Sequence, residues 1–485
     1  MTENQKVDTT LVKLIGYLQN AIKDSEFENH TFLVGGCVRD YLMDKPISDY
    51  DIVVDLPNGG VKLAQFLTKK DDSFNIASNP IIFGRYGTAR FTLRNNEDFK
   101  HLCFDATQTR RTPSYLMDED YNIEENVGTI IEDACLRDAT INALYLDVTT
   151  AEVYNMVGGA EHIKQKLLKT PTTPDTVFKD DPLRMLRIIR FSTTYGFDID
   201  KDTWLSIFKN SEMITQISKE RIKEELSKIL LADKPSIGIR KLMNCGLLYY
   251  ILPHIYTLNN HNPNYALPPY YPNVFEHTLR VIDKTQAKLP NRLAALFHDV
   301  GKHFCAQFKN GKLKFPNYTY ASGNIAEKVL KELRFPNDII NDVTFSIKMH
   351  DLFVSTKNVT DKRLRKFIAV AGDHFGTVID LMMANAYTID KECIENHTLI
   401  LDRLLAILEE EAKEPKKLPV NGNDVMIYIG LDSGPILGKI MEKLKDLFYE
   451  NPNMTKQDAL TAAYEIYCNM VTSGELRDLF INNSE

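Results

Sequence analysis

Apolar residues recur at three- and four-residue intervals at Leu11, Leu14, Ile15, Leu18 and Ile22, behind the polar start MTENQKVDTT. That spacing predicts an amphipathic helix within residues 1–30, packed on the domain C-terminal to it. Residues 31–145 read differently. Short apolar runs alternate with turn signals, the pattern of a mixed sheet with flanking helices. Leu33-Val34 ends a short buried strand, Gly35-Gly36 makes a turn, and Cys37 to Met43 has helical spacing. After Lys45-Pro46 come Asp49-Tyr50-Asp51 and the apolar run Ile52-Val53-Val54. The stretch from Phe83 through Gly84, Arg85, Tyr86 and Gly87 to Phe91 reads as a turn entering a strand, and His101 to Thr107 as the next strand. Residues 111–130 are polar and acidic and read as a loop. Beyond Asp180 the pattern is helical almost throughout, without an internal repeat. Breaks fall in the Pro/Asn/Tyr-rich stretch 259–272, at Pro336-Asn337 and over 411–419, giving segments 1–150, 151–258, 259–412 and 413–485.

Side chains at i and i+2 of an extended chain point to one face. Asp49 and Asp51 therefore stand side by side at a strand start, and two such carboxylates repel unless a cation lies between them. Hard Mg²⁺ is the usual partner. The Gly35-Gly36 turn leads into a helix N-terminus, where backbone N–H groups favour a phosphate. Arg39, one turn on, offers a planar cationic clamp. A carboxylate pair beside a phosphate cradle is the equipment for nucleotidyl transfer with two metal ions. Asp105 alternates with apolar neighbours and can face the same side as a third carboxylate; an exposed position on a half-buried strand is the competing reading.

The string GG-x-VRD (Gly35 to Asp40) followed by D-x-D (Asp49, Asp51) resembles the signature of the class II tRNA nucleotidyltransferase and poly(A) polymerase family, over about residues 30–475. The resemblance implies an α+β protein: a polymerase β-type nucleotidyltransferase head, mixed sheet with helices, followed by an all-α neck, body and tail. It also implies an acidic strand residue followed by an arginine, matched by Asp105 and Arg110. Arg137-Asp138-Ala139-Thr140-Ile141-Asn142 resembles the second family motif, which assigns Arg137, Asp138 and Asn142 to the ribose. Leu136 and Ala139 depart from it, and Leu136 removes a cation. An N-cap role for Asp138 is the competitor.

In Asp180-Asp181-Pro182-Leu183-Arg184, residues three apart on a helix share a face. Asp181 would supply acceptors and Arg184 a donor fork, enough to read a base edge. The family uses this position as a protein template for CTP and ATP. An N-cap Asp181 with Pro182 at N1 is compatible with both. Arg187 and Arg190 continue the basic face towards nucleotide or RNA, whereas Phe191 and Phe197 read as core. Residues 217–231 resemble the family's neck helix, with Glu220-Arg221 as a structural pair supporting the reading helix.

His277, His298 and Asp299 resemble an HD phosphohydrolase metal site, a possible second metal centre. The expected later Asp is Asn385, with Asp380 a turn and a half away, and the expected Gly-His reads Gly323-Asn324. Neutral amides are poor divalent ligands, so a helical body that holds RNA is the favoured reading over hydrolysis. In the tail, Asn421-Gly422 and Ser433-Gly434-Pro435 leave helix N-termini suited to RNA phosphates.

Length and charge refine this picture. A chain of 485 residues exceeds one core. A net charge of −8 opposes RNA binding overall; basic groups at 164–169, 184–190 and 219–241 can form a local groove on an acidic body, with solvated helix faces as the competing reading. No apolar run reaches 18 residues, and seven cysteines without a C-x-x-C pair argue against a disulfide framework and a zinc knuckle. A cytoplasmic enzyme is expected, with no membrane and no obligate protein partner. The reading is template-independent addition of CCA to the tRNA 3′ end from CTP and ATP with two Mg²⁺. Poly(A) polymerase or partial A- or CC-addition is the alternative, and an RNA-binding HD phosphohydrolase with an inactive head a second one.

Overall fold

The computed structural model describes residues 3–47, 49–69, 79–83, 87–93, 102–113, 123–259, 274–310, 312–353, 359–413 and 417–473. Gly84-Arg85-Tyr86, His101, much of the 111–130 loop and residues 260–273 lie outside these. The chain divides into two compact units, Met1–Asn260 with Glu332–Arg334, and His261–Lys331 with Phe335–Glu485.

The first unit carries strands β1 (Thr31–Val34), β2 (Tyr50–Val54), β3 (Ile81–Phe83), β4 (Thr88–Thr92), β5 (Cys103–Gln108), β6 (Tyr145–Asp147) and β7 (Val153–Tyr154). They form one sheet of order β3-β4-β5-β2-β1-β6-β7. Only β2 and β5 are parallel neighbours; the other pairs are antiparallel. One face of the sheet presents Leu33, Ile52, Val54, Ala89, Phe91, Phe104 and Ala106. They pack on Leu11, Leu14 and Leu18 of α1 (Glu3–Ile22) and on Leu63, Ala64 and Leu67 of α3 (Gly59–Lys69). Each fully buried side chain of this size contributes about 1.5–3 kcal/mol. An exposed ion pair contributes roughly 0–1 kcal/mol, so packing rather than surface charge holds β4 and β5 in place. Gly60 lets α3 approach: a Cβ there would lie 2.5 Å from the Ala106 backbone. The helix α2 (Gly36–Leu42) follows β1 through Gly35, whose φ of 76° favours glycine.

The unit continues with α4 (Ile130–Cys135) between β5 and β6, and then α5 (Gly159–Gln165), α6 (Pro174–Asp180), α7 (Leu183–Tyr195), α8 (Lys201–Asn210) and α9 (Lys219–Leu230) after β7. The apolar faces of α7 and α9 meet through buried Leu186, Ile189, Ile222, Leu226 and Ile229. The region is not wholly helical. Leu167–Leu168 pairs in parallel with Asp198–Ile199.

The second unit is built of helices, among them Val274–Lys284, Leu289–Phe297, Tyr318–Glu332, Asn337–Met349, Phe375–Ala386 and Lys391–Lys413. Here too a small sheet interrupts the expected all-α pattern. Gln307–Lys309 and Lys312–Lys314 form a hairpin in which Lys309 faces Lys312. Asn310 follows the first of these strands at φ 54°, the left-handed conformation that tight hairpin turns use. Asp361–Ala386 has the length and hydropathy of a membrane span. Gly372–His374 breaks it in two, and Leu364, Phe367, Val378 and Met382 lie in a core cluster. A separate cluster, centred on Val425, Ile440, Leu444 and Ala463, holds the last three helices together.

Candidate active site

The face of the sheet opposite α1 and α3 opens on a cavity of about 740 Å³ within the first unit, walled by α2, α7 and the Arg137–Asn142 segment. Register places the acidic residues. Asp51 stands opposite Asp105 across the parallel pair β2 and β5, and Asp49 precedes Asp51 by two residues. All three line the cavity. Burial is the main cause that pushes the Asp51 carboxyl up; Arg137 opposes the shift, while Asp105 and Asp49 add to it. A like-charged row of this kind fits a cation by its donor chemistry. Asp105 is not open on every side, since its two oxygens accept from Arg90 Nε and Nη2, each at 2.7 Å.

The opposite wall is a chain of paired charges. Arg39 is buried; it donates to both oxygens of Asp40 at 2.8 Å and to Asn142 Oδ1 at 2.7 Å. Its guanidinium lies over Tyr195 at 4.7 Å and Phe191 at 5.6 Å. Asn142 in turn donates to Asp138 Oδ1 at 2.9 Å, and Arg187 Nε donates to Asp138 Oδ2 at 2.7 Å. Burial alone would raise the Asp138 carboxyl, but Arg187, Asn142 and Arg184 hold it well below the carboxylate range. Arg137 donates to Asp133, which also accepts from the Tyr145 hydroxyl at 2.6 Å.

Asn142 lies on a 3-10 turn, Thr140–Asn142, and not on an α-helix. Asp181 is likewise off the helix. At φ −151° it ends α6, Pro182 precedes α7, and its Oδ1 accepts from Leu183 N at 3.1 Å. The shared helical face expected for Asp181 and Arg184 is therefore absent, although both line the cavity. Arg221 grips both Asp181 oxygens, at 3.3 and 2.7 Å. Arg184 is buried and forms a 2.7 Å ion pair with Asp180, without the alignment of a hydrogen bond. Glu220 and Arg221 do not pair as expected: Arg221 faces Asp181.

Two carboxylates that sequence reasoning passed over anchor the arginines of the wall. Buried Glu225 on α9 accepts from Arg190 Nε at 2.5 Å and lies 3.9 Å from Arg187. Asp133 on α4 anchors Arg137. Glu225, on an amphipathic helix, looks like a solvated charge and its spacing gives no signal, whereas Asp133 stands four residues before Arg137, a spacing that suits an ion pair. Phe191, read as core, is buried and also forms the cavity floor beneath Arg190 at 4.1 Å.

In the second unit the HD-like residues do converge. His277 Nε2 lies 3.2 Å from His298 Nε2, and Asp299 Oδ2 lies 3.5 and 3.4 Å from these two nitrogens. Asp299 Oδ1 is buried without a hydrogen-bond partner, an orphan acceptor that suits a cation. Lys302 Nζ already sits 2.7 Å from Asp299 Oδ2. Asp380 is turned to Gln286 N and Asn291 Nδ2, at 2.9 and 2.6 Å, so it does not replace the missing carboxylate. Buried His350, not singled out from sequence, packs edge-on to His298 with ring centroids 5.3 Å apart. Its signal was a second His-Asp dipeptide, His350-Asp351. In the tail, Asn421 and Asp424 form a capping box over the helix Gly422–Ile429, which spends the backbone N–H groups of Asn421 and Asp424. Gly434 offers no such side-chain cap.

This sheet, with its carboxylate row facing an arginine-lined wall, has the equipment of a nucleotidyltransferase head. The family described as "Poly A polymerase head domain" matches residues 31–169, and that described as "Probable RNA and SrmB- binding site of polymerase A" matches residues 196–258. Over these stretches the chain is similar to the head and RNA-binding domains of poly(A) polymerases. It is 28% identical over 349 residues to the CC-adding tRNA nucleotidyltransferase of Thermus thermophilus, covering 68% of this chain and 76% of that protein. Over 436 residues it is 26% identical to the CCA-adding enzyme of Geobacillus sp. WCH70, covering 88% and 90%. To the multifunctional CCA protein of Neisseria gonorrhoeae it is 30% identical over 283 residues, 56% of this chain and 62% of that protein. The fold is shared with the CCA-adding enzyme of Bacillus stearothermophilus solved in complex with CTP, at TM-score 0.64, 19% identity and coverage of 97% and 98%.

Proposed function

We propose that this protein adds CCA to the tRNA 3′ end from CTP and ATP without a nucleic-acid template, in the cytosol. The observation that carries the reading is the register of Asp51 with Asp105, with Asp49 beside them, on the cavity face of the sheet. Asp49 and Asp51, with Asp105, would hold Mg²⁺. Bound there, two such ions supply Lewis acidity to the RNA 3′-hydroxyl and to the departing pyrophosphate.

The remaining chemistry is that of the chain's own side chains. Gly35 and Gly36 keep the turn free of side chains beside the triphosphate, and Arg39 faces it with its charge partly spent on Asp40. Arg137, Asp138 and Asn142 form the ribose side. Asp181 and Arg184 form the base side, with Arg187 between the two. Because Asp181 and Arg184 are held by Arg221 and Asp180, their orientation is set before the nucleotide arrives, which suits a protein template. In this division of labour, residues 1–150 catalyse and residues 151–258 read the base. Residues 259–412 and 413–485 hold the tRNA. Similarity to a CC-adding enzyme as well as to CCA-adding ones keeps CC-only addition as the second reading.

For the His277, His298 and Asp299 cluster we propose a weak divalent site. Its donors fit an ion, but Lys302 competes for the same oxygen, and we assign no hydrolytic step to it. Purified protein incubated with tRNA lacking CCA and with each NTP singly and together tests the function. Expected is addition of two C from CTP alone and A only after both. A homopolymer of A, or arrest after CC with both substrates present, would refute it.

A further inference from the structure

Arg90 takes no part in the assignments above, yet it stands in the acidic row itself. It lies opposite Asp105 across β4 and β5, and Asp105 lies opposite Asp51 across β5 and β2. Directly paired residues project from the same face of a sheet, so guanidinium and carboxylates form one line over three strands. Both Asp105 oxygens accept from Arg90 in a side-on, two-point contact at 2.7 Å. The guanidinium also feels Asp49 electrostatically. Asp51 and Asp105 in this row, with Asp49 beside them, thus meet a fixed positive charge within the sheet itself, in addition to that of Arg137 from the opposite wall, and Arg90 occupies the carboxylate farthest along the row.

We infer that Arg90 is a built-in counter-ion of the catalytic row, a positioning residue that competes with divalent metal for Asp105 and sets how tightly metal binds. The inference rests on the proposal that Asp49, Asp51 and Asp105 hold metal. Its physical basis is the exposure of the pair, whose side chains are 52% and 37% accessible. Exposed ion pairs are weakly held, and a divalent ion carries twice the charge of a guanidinium. Metal therefore draws Asp105 away from Arg90, at the cost of the lost pair and of repulsion from the arginine left nearby. The metal-free protein gains a partly neutralised row in exchange for lower metal affinity.

The test is a Mn²⁺ titration of full-length protein, without nucleotide or RNA, following free Mn²⁺ by electron paramagnetic resonance. Arg90→Met should bind Mn²⁺ roughly three- to tenfold more tightly than wild type, as expected for removing one unit charge a few ångströms from the site. In an Asp105→Asn background the same substitution should change affinity by less than half as much in logarithmic terms, because the two residues act through one contact. Unchanged or weaker Mn²⁺ binding by folded Arg90→Met would overturn the inference, as would a full effect persisting without Asp105. Failure of wild type to bind Mn²⁺ at all, or binding that survives Asp49→Asn with Asp51→Asn once His298→Ala has removed a ligand of the second unit's cluster, would overturn the metal assignment itself and is read separately.

Discussion

Arg187 and Asp138, from α7 and from the turn before Thr140–Asn142, are joined by a 2.7 Å hydrogen bond from Nε to Oδ2. Through it the α7 side of the cavity, proposed above to read the base, is tied to the side proposed for the ribose. Asp138 is buried, and it also accepts from Asn142 and from Ala139 N. Removing it takes an acceptor from Asn142 and the nearer of two carboxylates from Arg187, which keeps Glu225 and is 35% accessible, at a cost of about 1–3 kcal/mol. Asp138→Ala should lose stability on that scale in urea unfolding.

The sign of the pH effect follows from the depressed Asp138 carboxyl. Its stabilisation is present above the unfolded-state pKa of about 3.9 and is lost as pH falls towards the lower folded value. The gap in unfolding midpoint between wild type and Asp138→Asn should be widest at neutral pH and should narrow below about pH 4. A gap that is constant down to pH 3 would show that hydrogen-bond shape, and not charge, carries the effect.

These networks mark where the sequence stopped being legible. Period-two alternation was enough to place Asp51 and Asp105 on one face, because in-register strands preserve that period. Helical spacing failed at Asp181 because Pro182 starts a new helix there, and the aspartate turned to Arg221 instead. The partners of Arg184, Arg187 and Arg137 come from Asp180, Asp138 with Glu225, and Asp133. Only tertiary packing brings Glu225 to Arg187, and no local pattern encodes it. The Asn310-Gly311 hairpin and the His350-Asp351 dipeptide were legible and were passed over in a region read as helical.

Arg184→Ala should reduce discrimination between CTP and UTP more than it weakens triphosphate binding. A bidentate donor fork against a base edge is worth about 1–3 kcal/mol, so selectivity should fall roughly 5- to 150-fold. Single-nucleotide incorporation with each NTP reads this directly. Because the substitution also leaves buried Asp180 without its ion pair, a thermal melt must accompany it, with a lower Tm expected. Unchanged CTP/UTP selectivity in a folded variant would remove Arg184 from the reading edge.

The HD-like cluster yields a metal prediction. Lys302 Nζ sits on the oxygen that both imidazoles approach. Lys302→Met should therefore increase Zn²⁺ or Mn²⁺ bound at the cluster, measured as metal content after dialysis against a buffered metal solution, with His298→Ala as the control that lacks a ligand. His298→Ala, if folded by circular dichroism, should retain nucleotide addition within about twofold, since the row at Asp49 and Asp51 lies in the other unit. A large loss of addition would give the helical unit a role beyond holding RNA.

Asp51 shows how the site trades stability for chemistry. Burial and the neighbouring Asp105 and Asp49 push its carboxyl up, so at neutral pH its ionised form is held against the environment's preference, with Arg137 only partly compensating. A raised folded-state value means that the folded protein binds the proton better than the unfolded chain, and stability falls as pH rises through it. Asp51→Asn keeps the shape and removes the charge. In EDTA at neutral pH the variant should melt a few degrees above wild type, as about 0.5–1 kcal/mol of relieved repulsion would produce. In Mg²⁺ it should lose nucleotide addition almost completely. A lower Tm in EDTA would mean that the pairing with Arg137 outweighs the like-charge row, and the row would then need no cation to be stable.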